Sequence, residues 1–128
     1  MSRATAAAFF AAIESGDIDA VRALYAPDAV IWHNDDLVEQ TVEENLMVLG
    51  GLQRIARHLR YEILRQADTG DGVLQQHILH VGLPDGRDFG LNVAIYVQVK
   101  DGRVTRIEEY LDSAQRAHIS RFREALAD

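Results

Sequence analysis

The sequence predicts one α+β domain with helices gathered on one side of an antiparallel sheet. Three observations predict it. Apolar residues recur at helical spacing in the first half of the chain. They switch to a period of two in the second half. The period-two stretches are separated by clusters of Gly, Asp and Pro that suit hairpin turns. The 128 residues leave room for one core and one domain.

From Thr5 to Ser15, Ala6, Phe9, Phe10 and Ile13 mark a helix that Gly16 ends. Asp17 is placed to cap a second helix, Ile18 to Tyr25, which Pro27 closes. Ala29 to His33 is β-branched and aromatic and reads as a strand, and Asn34-Asp35-Asp36 as the turn after it. Thr41 and Glu44 have capping-box spacing. They open a helix carrying Leu46, Met47, Leu49, Ile55 and Leu59, with a bend expected at Gly50-Gly51. Four strands follow: Tyr61 to Ala67, Val73 to Val81, Phe89 to Val99 and Arg103 to Leu111. Asp68 to Gly72, Pro84-Asp85-Gly86 and Lys100-Asp101-Gly102 join them. Ser113 caps a last helix with Ile119, Phe122 and Leu126.

Composition removes several functions. An apolar fraction of 48% with 26% charged residues is that of a globular protein. The net charge of −7, from 20 acidic and 13 basic residues, argues against nucleic acid and anionic membranes as partners. There is no cysteine, so disulfides, thiolate metal sites and a cysteine nucleophile are excluded. No signal peptide or membrane-length apolar run is seen, which makes the cytoplasm the expected compartment.

Two runs carry a family resemblance. Phe10-Ala11-Ala12-Ile13-Glu14-Ser15-Gly16-Asp17-Ile18-Asp19-Ala20-Val21, continuing through Leu24-Tyr25-Ala26-Pro27-Asp28-Ala29-Val30, resembles the opening of the ketosteroid-isomerase-like (NTF2-like) superfamily. Asp101-Gly102-Arg103-Val104 with Glu109-Tyr110-Leu111-Asp112 is similar to the end of SnoaL-like polyketide cyclases. The resemblance implies a cone: a curved antiparallel sheet with helices on its concave face, enclosing a pocket for a small apolar organic ligand. Position by position, His33 falls where ketosteroid isomerases keep an aspartate base. Phe9 stands at their oxyanion-binding tyrosine, and their second oxyanion donor falls at or beside Ile95. Ketosteroid isomerisation itself is therefore not expected. Gln75-Gln76-His77-Ile78-Leu79-His80 likewise lacks the arginine–aspartate pair of limonene-epoxide-hydrolase-like enzymes. Asp112 matches the aspartate base of the cyclases.

His33 and Asp112 are thus the candidate catalytic pair, expected to face one another across the cavity. An imidazole titrates near neutrality and suits proton transfer. The competing readings are a structural histidine bonded to a turn carboxylate, and Asp112 or Ser113 as a helix cap. Phe9, Ile13, Tyr25, Trp32, Asp35, Leu52, Ile55, His77, Ile95 and Tyr110 are the candidate ligand-contacting residues, the apolar ones serving first as core. His77 and His80, three apart on a strand, point to opposite faces; with no cysteine and no phosphate-binding loop either, no metal and no organic cofactor is expected. Glu43-Glu44 and Glu108-Glu109 read as solvated faces and capping. The other face of the Phe89 strand, Asn92, Ala94, Tyr96 and Gln98, predicts a two-fold homodimer. Three functions fit: a cofactor-independent isomerase, cyclase or (de)hydratase, a non-catalytic small-molecule binder, and a structural dimer subunit with a filled cone.

Overall fold

The computed structural model describes residues 2–117. The helices are α1 (Ser2–Ser15), α2 (Ile18–Leu24) and α3 (Val42–Ile55). The strands are β1 (Tyr25–His33), β2 (Glu39–Gln40), β3 (His58–Asp68), β4 (Gly72–Gly82), β5 (Asp88–Lys100) and β6 (Arg103–Leu111). Residues 113–117 are helical. Ile119, Phe122 and Leu126 lie outside the described residues. The strands form one curved sheet in the order β2-β1-β6-β5-β4-β3, with the helices packed against one face. This is the cone that the resemblance implied.

Local chemistry sets the helix ends. Gly16 takes φ of +76° after α1, a conformation that costs glycine little. The carboxylate of Asp17 then accepts from the Ala20 amide at 3.0 Å. The capping box is complete: Thr41 Oγ1 accepts from the Glu44 amide at 3.2 Å, and Glu44 Oε1 from the Thr41 amide at 2.9 Å.

Several expectations are corrected. Tyr25 opens β1 instead of closing α2. Pro27 disfavours helix at the residue before it, and the β1–β6 register slips between Tyr25 and Val30, where a proline is tolerated. Helix α3 stops at Ile55, short of Leu59. Leu59 belongs to β3, opposite Val81, because the chain is extended from Ala56 onward. The two-residue strand β2 was not anticipated.

The face under the helices alternates cleanly on the long strands. On β4 it carries Val73, Gln75, His77, Leu79 and Val81, all buried. Burying a side chain of valine or leucine size stabilises by about 1.5–3 kcal/mol, so this face and α1 (Ala6, Phe9, Phe10, Ile13) hold the layers together. The opposite face keeps Leu74 and Tyr110 about half exposed, with Ala94 and Tyr96 partly exposed between them. Four polar residues are buried with the core: His33, Asn45, Gln75 and His77. Burial of such groups is costly unless they are hydrogen-bonded, so they draw attention to the site.

Gly72 marks how tightly β4 and β5 pack. A Cβ there would lie 2.1 Å from the Val97 carbonyl oxygen, whereas at Gly82 it would meet the exposed His58 ring, which can swing away. Gly72→Ala is expected to cost about 1–3 kcal/mol and Gly82→Ala clearly less, read from urea midpoints. Equal costs would mean that β4 and β5 separate locally without penalty.

Candidate functional site

β1 runs parallel to β6, in a sheet whose other pairings are antiparallel, and the register sets His33 beside Glu109. Asn34 fixes that register beyond the end of β1. Its amide donates to the Glu109 carbonyl at 3.0 Å, and its Oδ1 accepts from the Leu111 amide at 2.8 Å. Both side chains therefore emerge on the helix-covered face. His33 Nε2 lies 3.8 Å from Glu109 Oε1, at ion-pair distance and beyond a hydrogen bond. The ring is 6% exposed, and its Nδ1 is buried with no partner. Neutral His33 is cheapest with its proton on Nε2, because an unpaired lone pair is tolerated better than an unpaired buried N–H.

Burial pushes the Glu109 carboxyl above the ordinary carboxylate range. Nearby His33 and Arg116 oppose the rise, and Asp35 adds to it. Arg116 pairs with Asp35 at 2.7 Å, joining helical residues 113–117 to the turn after β1. His33, Glu109 and Arg116 line a cavity of about 190 Å³ whose wall is otherwise mostly apolar. An engineered cavity of about 150 Å³ holds benzene, so this one suits a molecule of a ring or two.

Behind His77, which lines the same cavity, Gln66 Nε2 donates to Gln75 Oε1 at 2.7 Å, and Gln75 Nε2 lies 2.8 Å from His77 Nδ1. Phe10 and Tyr61 meet the His77 ring edge to face, with centroids 5.5 and 4.9 Å away. Burial lowers the His77 pKa to about 4, which keeps the ring neutral at pH 7. Tyr25 donates to Asn45 Oδ1 at 2.7 Å. Desolvation first, and then the Glu109 charge, push both Tyr25 and Tyr61 above the usual phenol value.

The structure brings Phe9, Ile13, Tyr25, His33, Leu52, His77 and Ile95 to the cavity wall. It does not bring the other candidates. Asp112 is exposed and caps residues 113–117, its Oδ1 accepting from the Ala114 amide at 2.9 Å, so it does not face His33. Trp32 and Tyr110 stack edge to face on the outer side of the sheet, 5.3 Å apart, because strand alternation turns them away from their inward neighbours. Ile55 is core, and Asp35 holds Arg116 without lining the cavity. Glu109, read from sequence as a solvated face, is the carboxylate that takes Asp112's expected place. Its signal was the alternation Ile107, Glu109, Leu111, which puts the glutamate on an apolar face. Asn45, Tyr61 and Arg116 were also missed. Among the described residues no group of three potential ligands could hold a metal ion. No helix of the described residues is long and apolar enough to cross a membrane.

The SnoaL-like domain family profile matches residues 6–107. No curated protein sequence matches the chain. IdmH of Streptomyces antibioticus, a candidate polyketide cyclase, superposes with a TM-score of 0.80 at 23% identity, covering 93% of this chain and 97% of that one. PrhC of Penicillium brasilianum gives 0.82 at 18% identity, over 97% and 87%. A Catenulispora acidiphila protein with a ketosteroid-isomerase-like fold, solved in complex with trimethylamine, gives 0.76 at 14% identity over 90% of each chain. Likeness at these identities establishes the fold, and the activity has to come from the site.

The raised Glu109 pKa has a stability signature. Because the folded chain holds this proton more tightly, the contribution is full below the unfolded pKa and is lost as pH rises through the folded one. Glu109→Gln should therefore gain on the wild type in urea midpoint as pH rises from about 4 to about 7. A difference that stays constant over that range would mean Glu109 is no more desolvated folded than unfolded.

Proposed function

This chain belongs to the SnoaL-like domain family, and on that premise we propose that it is a cofactor-independent enzyme of the cyclase or isomerase type, moving a proton on a small, largely apolar carbonyl compound. One observation carries the reading: a partly buried carboxylate, Glu109, stands beside His33 on the wall of an apolar cavity. A general base works best when its pKa approaches the operating pH, and burial moves a glutamate in that direction. In this reading Glu109 takes the proton from the carbon next to the carbonyl. His33, with its proton on Nε2, steadies the carboxylate or the substrate, and Arg116 limits how far the Glu109 pKa climbs. The cytoplasm is the proposed compartment.

A second reading is a non-catalytic binder that uses the same cavity. What favours it is that Phe9 and Ile95 supply no donors where ketosteroid isomerases keep theirs. Deuterium exchange separates the two. With 2-tetralone in D₂O, the protein should accelerate loss of the α-proton NMR signals over buffer. Glu109→Gln should lower that acceleration by about 100-fold or more, the scale of general-base catalysis. Binding without acceleration would leave the binder.

We also propose that two copies pair through the outer sheet face around Leu74, Tyr96 and Tyr110, as its exposed apolar surface supports. Sedimentation at micromolar concentration should give twice the chain mass. A monomer there would sink the dimer.

A further inference from the structure

Building on the reading that the cavity takes a carbonyl compound, we propose that His77 is a hydrogen-bond donor to the carbonyl oxygen, its Nε2–H presented by the Gln66–Gln75 pair behind it. The direction of that chain decides the tautomer. Gln75 Oε1 is occupied by the Gln66 amide at 2.7 Å, so the Gln75 NH₂ is the group that faces His77 Nδ1 at 2.8 Å. An amide NH₂ only donates, so Nδ1 accepts and the single proton of a neutral imidazole sits on Nε2. Phe10 and Tyr61 pack against the ring and fix its plane.

Its placement gives the donor a task. His33, Glu109, Ile95, Gln75 and Gln66 form one cross-strand row over five strands, and His77 is the next inward residue after Gln75 on β4. From β6, which carries Glu109, to β4 is two strand spacings, roughly 10 Å along the sheet and less across its curved face. A ligand between the two sides puts its acidic C–H near Glu109 and its oxygen near His77. Charge that develops on that oxygen needs preorganised donors in a dry site. Phe9 and Ile95 offer none. His77 does, and the Tyr61 hydroxyl beside it is a second candidate on the same wall.

The chemistry also selects the ligand. Arg116, the one Lys or Arg among the described wall residues, lies on the Glu109 side and is held by Asp35. The His77 side offers neutral donors without a cation. A ketone, aldehyde or lactone oxygen is satisfied there, whereas a carboxylate would be desolvated without a counter-charge.

Two readouts test this independently of turnover. In ligand-free protein labelled with ¹⁵N-histidine, long-range ¹H–¹⁵N correlation should show His77 protonated on Nε2 with an acceptor Nδ1. In Gln75→Glu, whose carboxylate can only accept, the proton should move to Nδ1. Secondly, 2-tetralone carrying ¹³C at the carbonyl should show a downfield carbonyl shift when bound. His77→Phe, which keeps a ring in the Phe10–Tyr61 slot, should lose most of that shift and bind about two- to tenfold more weakly. The carboxylate 2-naphthoate should bind more weakly than the ketone. A proton on Nδ1 in the wild type overturns the proposal. So does a carbonyl shift that is absent or survives His77→Phe. Failure of deuterium exchange with both readouts intact would instead count against Glu109 as the base.

Discussion

The parallel pairing of β1 with β6 is the constraint on which the site depends. A one-residue slip of that register would turn His33 to the outer face of the sheet and bring Trp32 inward, because side chains alternate at every residue. Two features oppose the slip. Asn34 bonds both ways to β6, to the Glu109 carbonyl and the Leu111 amide, so its side chain continues the ladder where β1 ends. Ile31 and Ile107, a registered pair, are both buried and would each lose core contacts. The bulge near Pro27 absorbs the irregular start of β1 before the register reaches His33.

Desolvation then acts on each titratable group in the cone in its own direction. It raises the Glu109 carboxyl and the Tyr25 and Tyr61 phenols, and it lowers His77. Every one of these shifts favours the neutral form, which keeps the interior short of net charge. At one edge only, His33 and Arg116 oppose that trend by pulling the Glu109 pKa back down. The hydrogen-bond chains Tyr25–Asn45 and Gln66–Gln75–His77 satisfy polar atoms that would otherwise be costly to bury.

Family membership and site chemistry come apart in this molecule. The fold is shared with structures 14–23% identical over nearly the whole chain. Yet the positions at which the resemblance suggested donors hold Phe9 and Ile95, and the polar groups of the wall come from β1, β3, β4, β6, α3 and Arg116 instead. A cone of this kind admits side chains from every strand, so working groups can move between strands without disturbing the layers.

The sequence by itself determined the period-two strands, the turns between them, the Asp17 and Thr41 caps and the α+β class, because each rests on interactions within a few residues. Alternation also put Ile95 on an inward face once its strand was drawn, whereas His77 read as readily as a sheet-surface or interface histidine. It could not decide which strands are neighbours. His33 and Glu109 are 76 positions apart, and nothing local says that β1 returns beside β6 in parallel; without that pairing, Glu108-Glu109 reads as two solvated charges and Asp112 as the natural partner of His33. Tertiary structure reversed both readings. Strand alternation sends Glu108 and Tyr110 outward and Glu109 inward, while the chain leaves the sheet at Asp112, where a short carboxylate accepts from the Ala114 amide at the start of a helix. The physical reason is that burial and charge coupling depend on distance in space, and that distance was set by a strand pairing no local pattern encodes.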